Sequence, residues 1–125
     1  MRKSISPLGD TELEILHHVW EMGEATVAEV QERIMQERKV AYTTVMTIMR
    51  NLNKKGYLDF EKKGVTYHYR PAQSADTVKQ NLVSTFVNKV FKGNAGALVQ
   101  NLVEAENISS QDRKQIEDII RKMDK

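Results

Sequence analysis

The stretch Ala41-Tyr-Thr-Thr-Val-Met-Thr-Ile-Met-Arg-Asn-Leu-Asn-Lys-Lys-Gly56 decides the fold. Val45, Ile48, Met49 and Leu52 repeat at i, i+3, i+4 and i+7, the spacing that sets four apolar side chains on one helix face. Gly56 is the residue that closes such a helix. With those four turned inward, Tyr42, Thr43, Thr44, Thr47, Arg50, Asn51 and Lys54 are left to point elsewhere. Thr43, Thr47, Arg50 and Lys54 fall at i, i+4, i+7 and i+11, one continuous stripe with hydroxyls first and cations later. Threonine can donate or accept toward base edges and press its methyl on thymine, while Arg and Lys anchor to phosphate. The competing reading is an indifferent polar surface. Threonine is a mediocre helix former, however, and three within two turns argue against it. Tyr42 reads equally well as a backbone contact or a packing residue.

Two helices precede this stretch. The first spans about Gly9 or Thr11 to Met22, with Leu13, Leu16, Val19 and Trp20 on one face and Gly23 as its stop. Its cap is either Thr11 with Glu14 or Gly9 with Glu12. The second opens on Thr26-Val-Ala-Glu29, a capping box, carries Val27, Val30 and Ile34 inward, and is expected to end near Arg38. After Gly56 the period changes. Tyr57-Leu-Asp-Phe-Glu61 and Val65-Thr-Tyr-His-Tyr-Arg70 read as strands, with Lys62-Lys63-Gly64 as the hairpin turn between them. Helix, helix, helix and ribbon, in that order, make a winged helix-turn-helix, in which the second helix of the motif enters the major groove. Lys62 and Lys63 then stand at the wing tip, within reach of an adjacent phosphate. Edge lysines that protect a hairpin from aggregation are the alternative.

The charge pattern agrees. Asp10 to Glu37 holds eight acidic residues against Arg33 alone, whereas Arg38 to Arg70 holds eight basic residues against Asp59 and Glu61. Such a reversal inside one small domain points to a face kept for a polyanion, although solvated helix surfaces are also charged. Arg38 and Lys39 either meet phosphate or sit in a solvated turn.

Pro71 and Ala72-Gln-Ser-Ala75 mark a boundary, dividing the chain into residues 1–71, for DNA binding, and 72–125, a helical dimerisation domain. Val78, Leu82, Phe86 and Val90 form an apolar stripe from about Asp76 to Lys92. Gly93 and Gly96 interrupt it; Leu98 and Leu102 lie on a short second helix. Ser109 or Ser110 caps a third, bearing Ile116, Ile119, Ile120 and Met123. That much apolar surface on a segment of about 50 residues calls for a second copy. The expected architecture is mainly α with a small β-ribbon: a winged unit followed by three dimerisation helices.

Other chemistry finds little support. With no cysteine, disulfides, thiol nucleophiles and thiolate metal sites are out of reach. His17 and His18 are adjacent and diverge by about 100° on a helix, so they cannot share a metal. His68 lies on a strand. No phosphate loop, nucleophile elbow or carboxylate pair is present, so neither an enzyme nor a cofactor is expected. Nothing resembles a secretory leader or a membrane-spanning run of roughly 18 apolar residues, and the expected location is the cytoplasm. A winged-helix interaction module that turns its basic face to an acidic protein partner is the rival function.

Glu12-Leu-Glu-Ile-Leu16 through Val19-Trp20, then Ala41-Tyr-Thr-Thr-Val-Met-Thr-Ile48, then Leu52-Asn-Lys-Lys-Gly56-Tyr-Leu58 together resemble the penicillinase repressor (BlaI/MecI-type) family over nearly the whole chain. That resemblance implies a homodimeric repressor with interlocked C-terminal helices, two winged domains on a dyad-symmetric operator, and control of a β-lactam-resistance or related stress operon. The copper-responsive branch carries a C-terminal cysteine-rich motif, which this chain lacks. Other members are inactivated when a protease linked to a membrane sensor leads to a C-terminal cut. The matching segment is Leu98-Val-Gln-Asn101-Leu102-Val103, which nominates Asn101–Leu102. Leu102 stands where the family usually has an aromatic, and Asn101 also reads as a plain polar helix position.

Overall fold

Thr26 starts a helix by reciprocal capping: its hydroxyl accepts the Glu29 N–H at 3.2 Å, and the Glu29 carboxylate accepts the Thr26 N–H at 2.9 Å. In the computed structural model, which describes residues 7–105 and 108–123, this helix is the second of six. The order is α1 (Asp10–Met22), α2 (Val27–Met35), α3 (Tyr42–Lys54), β1 (Leu58–Lys63), β2 (Thr66–Pro71), α4 (Ala75–Val90), α5 (Ala95–Glu104) and α6 (Ser110–Met123). The expected fold class, mainly α with a two-stranded ribbon after three helices, is the one observed.

At the start of α1 the choice falls on Gly9, whose N–H donates to Glu12 at 2.8 Å. Gly23 closes that helix at φ 80°, a conformation that costs glycine little. α2 ends at Met35, three residues earlier than expected. The N–H groups of Glu37 and Arg38 both turn back to the Ile34 carbonyl, at 2.9 and 3.0 Å, and Arg38 is drawn to a carboxylate on α1.

Ile15, Leu16 and Val19 of α1, Val30 and Ile34 of α2, and Val45, Met49 and Leu52 of α3 meet in one core, closed by Leu58 and Tyr69 from the ribbon. Leu13, Trp20 and Ile48, expected on the apolar faces of their helices, are partly buried against it, and Ile15, not expected there, is fully buried. The ribbon is antiparallel, from Leu58 opposite Pro71 to Lys63 opposite Thr66. Its turn is therefore Gly64-Val65, with Gly64 at φ 63°, and Lys62 and Lys63 belong to β1 rather than to the turn. Tyr69 also exchanges two 2.8 Å backbone hydrogen bonds with Ala25, which ties the wing to the loop before α2.

Two compact units form, one running through Val83 and the other from Ser84. The first reaches beyond the boundary expected at Pro71 because Val78, 1% exposed, is part of its core, with Leu82 packed against it. Both residues were expected on a dimerisation stripe. In the second unit Asn94 caps α5 by accepting the Ala97 N–H at 3.0 Å, and Gly96 lies inside that helix rather than between two helices. Ser109 caps α6, accepting the Asp112 N–H at 3.0 Å. Neither α5 nor α6 has a buried residue.

Candidate nucleic-acid interface

Burial of Val45, Met49 and Leu52 fixes the rotation of α3 about its axis, and that rotation leaves Tyr42, Thr43, Thr44, Thr47, Arg50, Asn51 and Lys54 all exposed. The hydroxyl-then-cation stripe is thus one continuous surface feature. Ala41 at its head offers no side-chain cap, so the first-turn N–H groups keep no side-chain partner there.

Ion pairing separates the cations of this unit into two groups. Arg33 pairs with Glu21 at 3.2 Å, Lys55 with Glu12 at 2.9 Å, and Arg70 approaches Glu61 at 3.7 Å. Arg38 grips Glu14 with both guanidinium nitrogens, at 2.5 and 2.7 Å, so it is held on α1 rather than turned to phosphate. The hydrogen bonds from Arg38, against some burial, hold the Glu14 carboxyl below its ordinary range. Burial alone would raise the Glu12 carboxyl, but the Gly9 N–H and the Lys55 ammonium together bring it below its usual value. Among the described residues Arg50, Lys54 and Lys39 take part in no ion pair. The acidic first half of the sequence therefore neutralises basic residues away from α3 and leaves the α3 cations uncommitted.

The wing separates its two lysines. Lys62 stands opposite Tyr67 and lies 5.7 Å from that ring's centroid, on the face shared with Phe60 and Tyr69. Phe60 and Tyr67 stack at 4.9 Å. Lys63 falls on the other face, where its Nζ is 4.0 Å from the Glu24 carboxylate and His68 Nδ1 is 3.7 Å from the same group. A cleft of about 450 Å³ opens between α3 and the ribbon, lined by Tyr42, Met46, Arg50, Val65, Tyr67 and Tyr69 among others. Burial raises the Tyr69 phenol above its ordinary range, so it stays protonated. Tyr67 and Tyr69 were not among the expected contact residues. Period-two alternation hinted at a common face, but only the pairing register sets them beside Lys62.

Among the described residues no three His, Asp or Glu side chains converge on a point that could hold a metal. Among the described residues no helix is long and apolar enough to cross a membrane.

In the second unit Phe86, Val90, Leu102, Ile119 and Ile120 are exposed, and Leu98 and Ile116 are half-buried. Leu102, Ile108, Ile116 and Ile119 line a groove of about 420 Å³. Asn101 and Leu102 are exposed on the last turn of α5, where the Asn101 carbonyl accepts the Ala105 N–H at 3.1 Å.

Residues 8–122 match the model of the penicillinase repressor family. The chain is 28% identical over 115 residues to the methicillin resistance regulatory protein MecI of Mammaliicoccus sciuri, covering 92% of this chain and 94% of that one. It is 24% identical over 118 residues to the penicillinase repressor of Bacillus licheniformis, covering 94% and 92%. Among solved structures, the DNA-binding domain of the repressor BlaI superposes with a TM-score of 0.51 at 27% identity, over 59% of this chain and 90% of that domain.

Proposed function

This chain belongs to the penicillinase repressor family, and from that premise we propose that it represses transcription as a homodimer whose two winged units read a dyad-symmetric operator. The observation that carries the reading is the state of α3. Its threonine hydroxyls, Arg50 and Lys54 are exposed and free of ion pairs, while Arg33, Arg38 and Lys55 are engaged by carboxylates of α1. Thr43, Thr44, Thr47 and Asn51 face base edges; Arg50, Lys54, Tyr42 and the wing face the backbone. Twofold symmetry presents two identical α3 helices, which places the half-sites whole helical turns apart.

Dimerisation uses the apolar surface of the second unit: Phe86, Val90, Leu98, Leu102, Ile116, Ile119 and Ile120. Operator affinity then depends on both copies through bivalency. A cut at Asn101–Leu102 would sever α6 with its three isoleucines, weaken the dimer and release the DNA. A protease linked to a membrane sensor is the corresponding partner, the cytoplasm the place, and a β-lactam-resistance or related stress operon the target. Of these, the names of the relatives, a methicillin resistance regulator and a penicillinase repressor, support the target alone.

An anisotropy titration of the full chain against a palindromic duplex, over a series of salt concentrations, tests the reading. Affinity is expected to fall steeply with salt and to drop on Thr47→Ala combined with Arg50→Ala. A flat salt dependence, or no loss in that variant, would refute it. Equal affinity for all duplexes together with a specific acidic protein partner would favour the interaction module.

A further inference from the structure

Strand alternation sends the neighbouring lysines of β1 to different electrostatic environments. Three carboxylates lie on the Lys63 side of the wing. Glu24 approaches Lys63 and His68, and Asp59 and Glu61 share their strand face with Lys63. Lys62 lies on the opposite face, whose neighbours are Phe60, Tyr67 and Tyr69. Tyr67 in turn is a wall of the cleft whose other side is Tyr42, Met46 and Arg50 of α3. The cleft is thus lined by aromatic and aliphatic surface with the Arg50 guanidinium on the helix side; Lys62 lies outside the lining, its ammonium 5.7 Å from the ring of Tyr67, which forms the wing-side wall. That combination suits a ligand with an apolar ring and an anionic group joined to it.

We propose that this cleft seats one sugar-phosphate unit of a duplex strand, its phosphate between Arg50 and Lys62 and its sugar against Tyr42 and Tyr67, with Lys63 excluded. The proposal rests on the reading of α3 as the DNA-contacting helix and sharpens it. Arg50 follows Thr47 by three residues, so both lie on one face of α3. The strand held in the cleft is therefore the one whose neighbouring bases Thr47 can reach. The wing contributes a single backbone contact, which sets how far α3 can slide along the groove. Lys63 has the Glu24 carboxylate 4.0 Å from its Nζ and shares its strand face with Asp59 and Glu61.

The test uses the full chain with two duplexes of about 30 base pairs, one recovered by selection with the protein and one scrambled. Lys62 and Lys63 are both exposed, so neither alanine variant disturbs the core. Lys62→Ala is expected to weaken binding to both duplexes and to lower the slope of log K against log salt by about one. Lys63→Ala is expected to leave that slope unchanged. Single neutral methylphosphonates are then scanned along the selected duplex. One position should weaken wild-type binding yet leave Lys62→Ala and Arg50→Ala nearly indifferent, since both cations address the same phosphate. Equal slope losses from the two lysines, a loss from Lys63→Ala alone, or coupling of Arg50 and Lys62 to different phosphates would overturn the seat while leaving DNA binding intact. Salt-independent wild-type binding, or none, would overturn the DNA reading and the seat with it.

Discussion

Val78→Ala separates the packing of α4 from dimer formation. Val78 is 1% exposed and lies in the core of the first unit, beside the partly buried Leu82. At the next residue, the Lys79 ammonium sits 5.8 Å from the centroid of the Trp20 ring, so the same stretch of α4 lies along α1. Valine to alanine removes two methyl groups at about 0.8 kcal/mol each, and the space they leave raises the cost to roughly 2 kcal/mol. For a unit of this size each kcal/mol shifts the midpoint by about 4–8 °C, so unfolding should come roughly 8–16 °C earlier. Trp20 is the only tryptophan in the chain and packs against that core, so its fluorescence reports this unit directly. Wild type and variant are compared at one protein concentration, because in the proposed dimer the midpoint depends on concentration. Sedimentation equilibrium on the same samples should give nearly equal dimer dissociation constants. A dissociation constant raised on the order of tenfold, with the Trp20 transition moved by less than about 2 °C, would refute the placement. Val78 would then belong to the dimer face.

Thr26→Ala removes the hydroxyl half of the α2 cap and should cost about 1 kcal/mol, read as a lower urea midpoint with an unchanged slope. Leu102→Asp with Ile119→Asp puts two charges on the exposed groove of the second unit; the protein should sediment as a monomer at micromolar concentration and bind a palindromic duplex more weakly, with the Trp20 transition unchanged. Acid should destabilise the first unit through Glu12 and Glu14. Both carboxyls sit below their ordinary range in the folded state, so their contribution is complete above the unfolded Glu value and fades as pH falls through the folded one. Both pairs reach solvent, so the effect is modest. Urea midpoints measured downward from pH 6 should fall less in Glu12→Gln/Glu14→Gln than in wild type.

Much of the fold was legible because helices and strands write their periods locally. The spacing of Val45, Met49 and Leu52 determines which way α3 faces, and hence that Thr43, Thr47, Arg50 and Lys54 share one exposed stripe. Thr26 and Glu29 announce a helix start because the cap spans only three residues. Local signals were weaker at boundaries. α2 ends at Met35, where the Glu37 and Arg38 N–H groups both return to the Ile34 carbonyl, and the turn moved to Gly64-Val65 because register, not composition, sets where a hairpin closes.

The sequence by itself determined the order of elements, the apolar faces of α2 and α3 and the residues α3 turns outward, all consequences of geometry within a few residues. Tertiary structure decided which cations remain available. Glu14 meets Arg38 across 24 residues and Glu12 meets Lys55 across 43, and no local period encodes such partners. It also decided that Val78 completes the first unit's core, and that Lys62 and Lys63, neighbours in sequence, work on opposite faces of the wing. A charge pattern counts residues. Only packing assigns each charge a partner, and what is left unpartnered is what a polyanion can use.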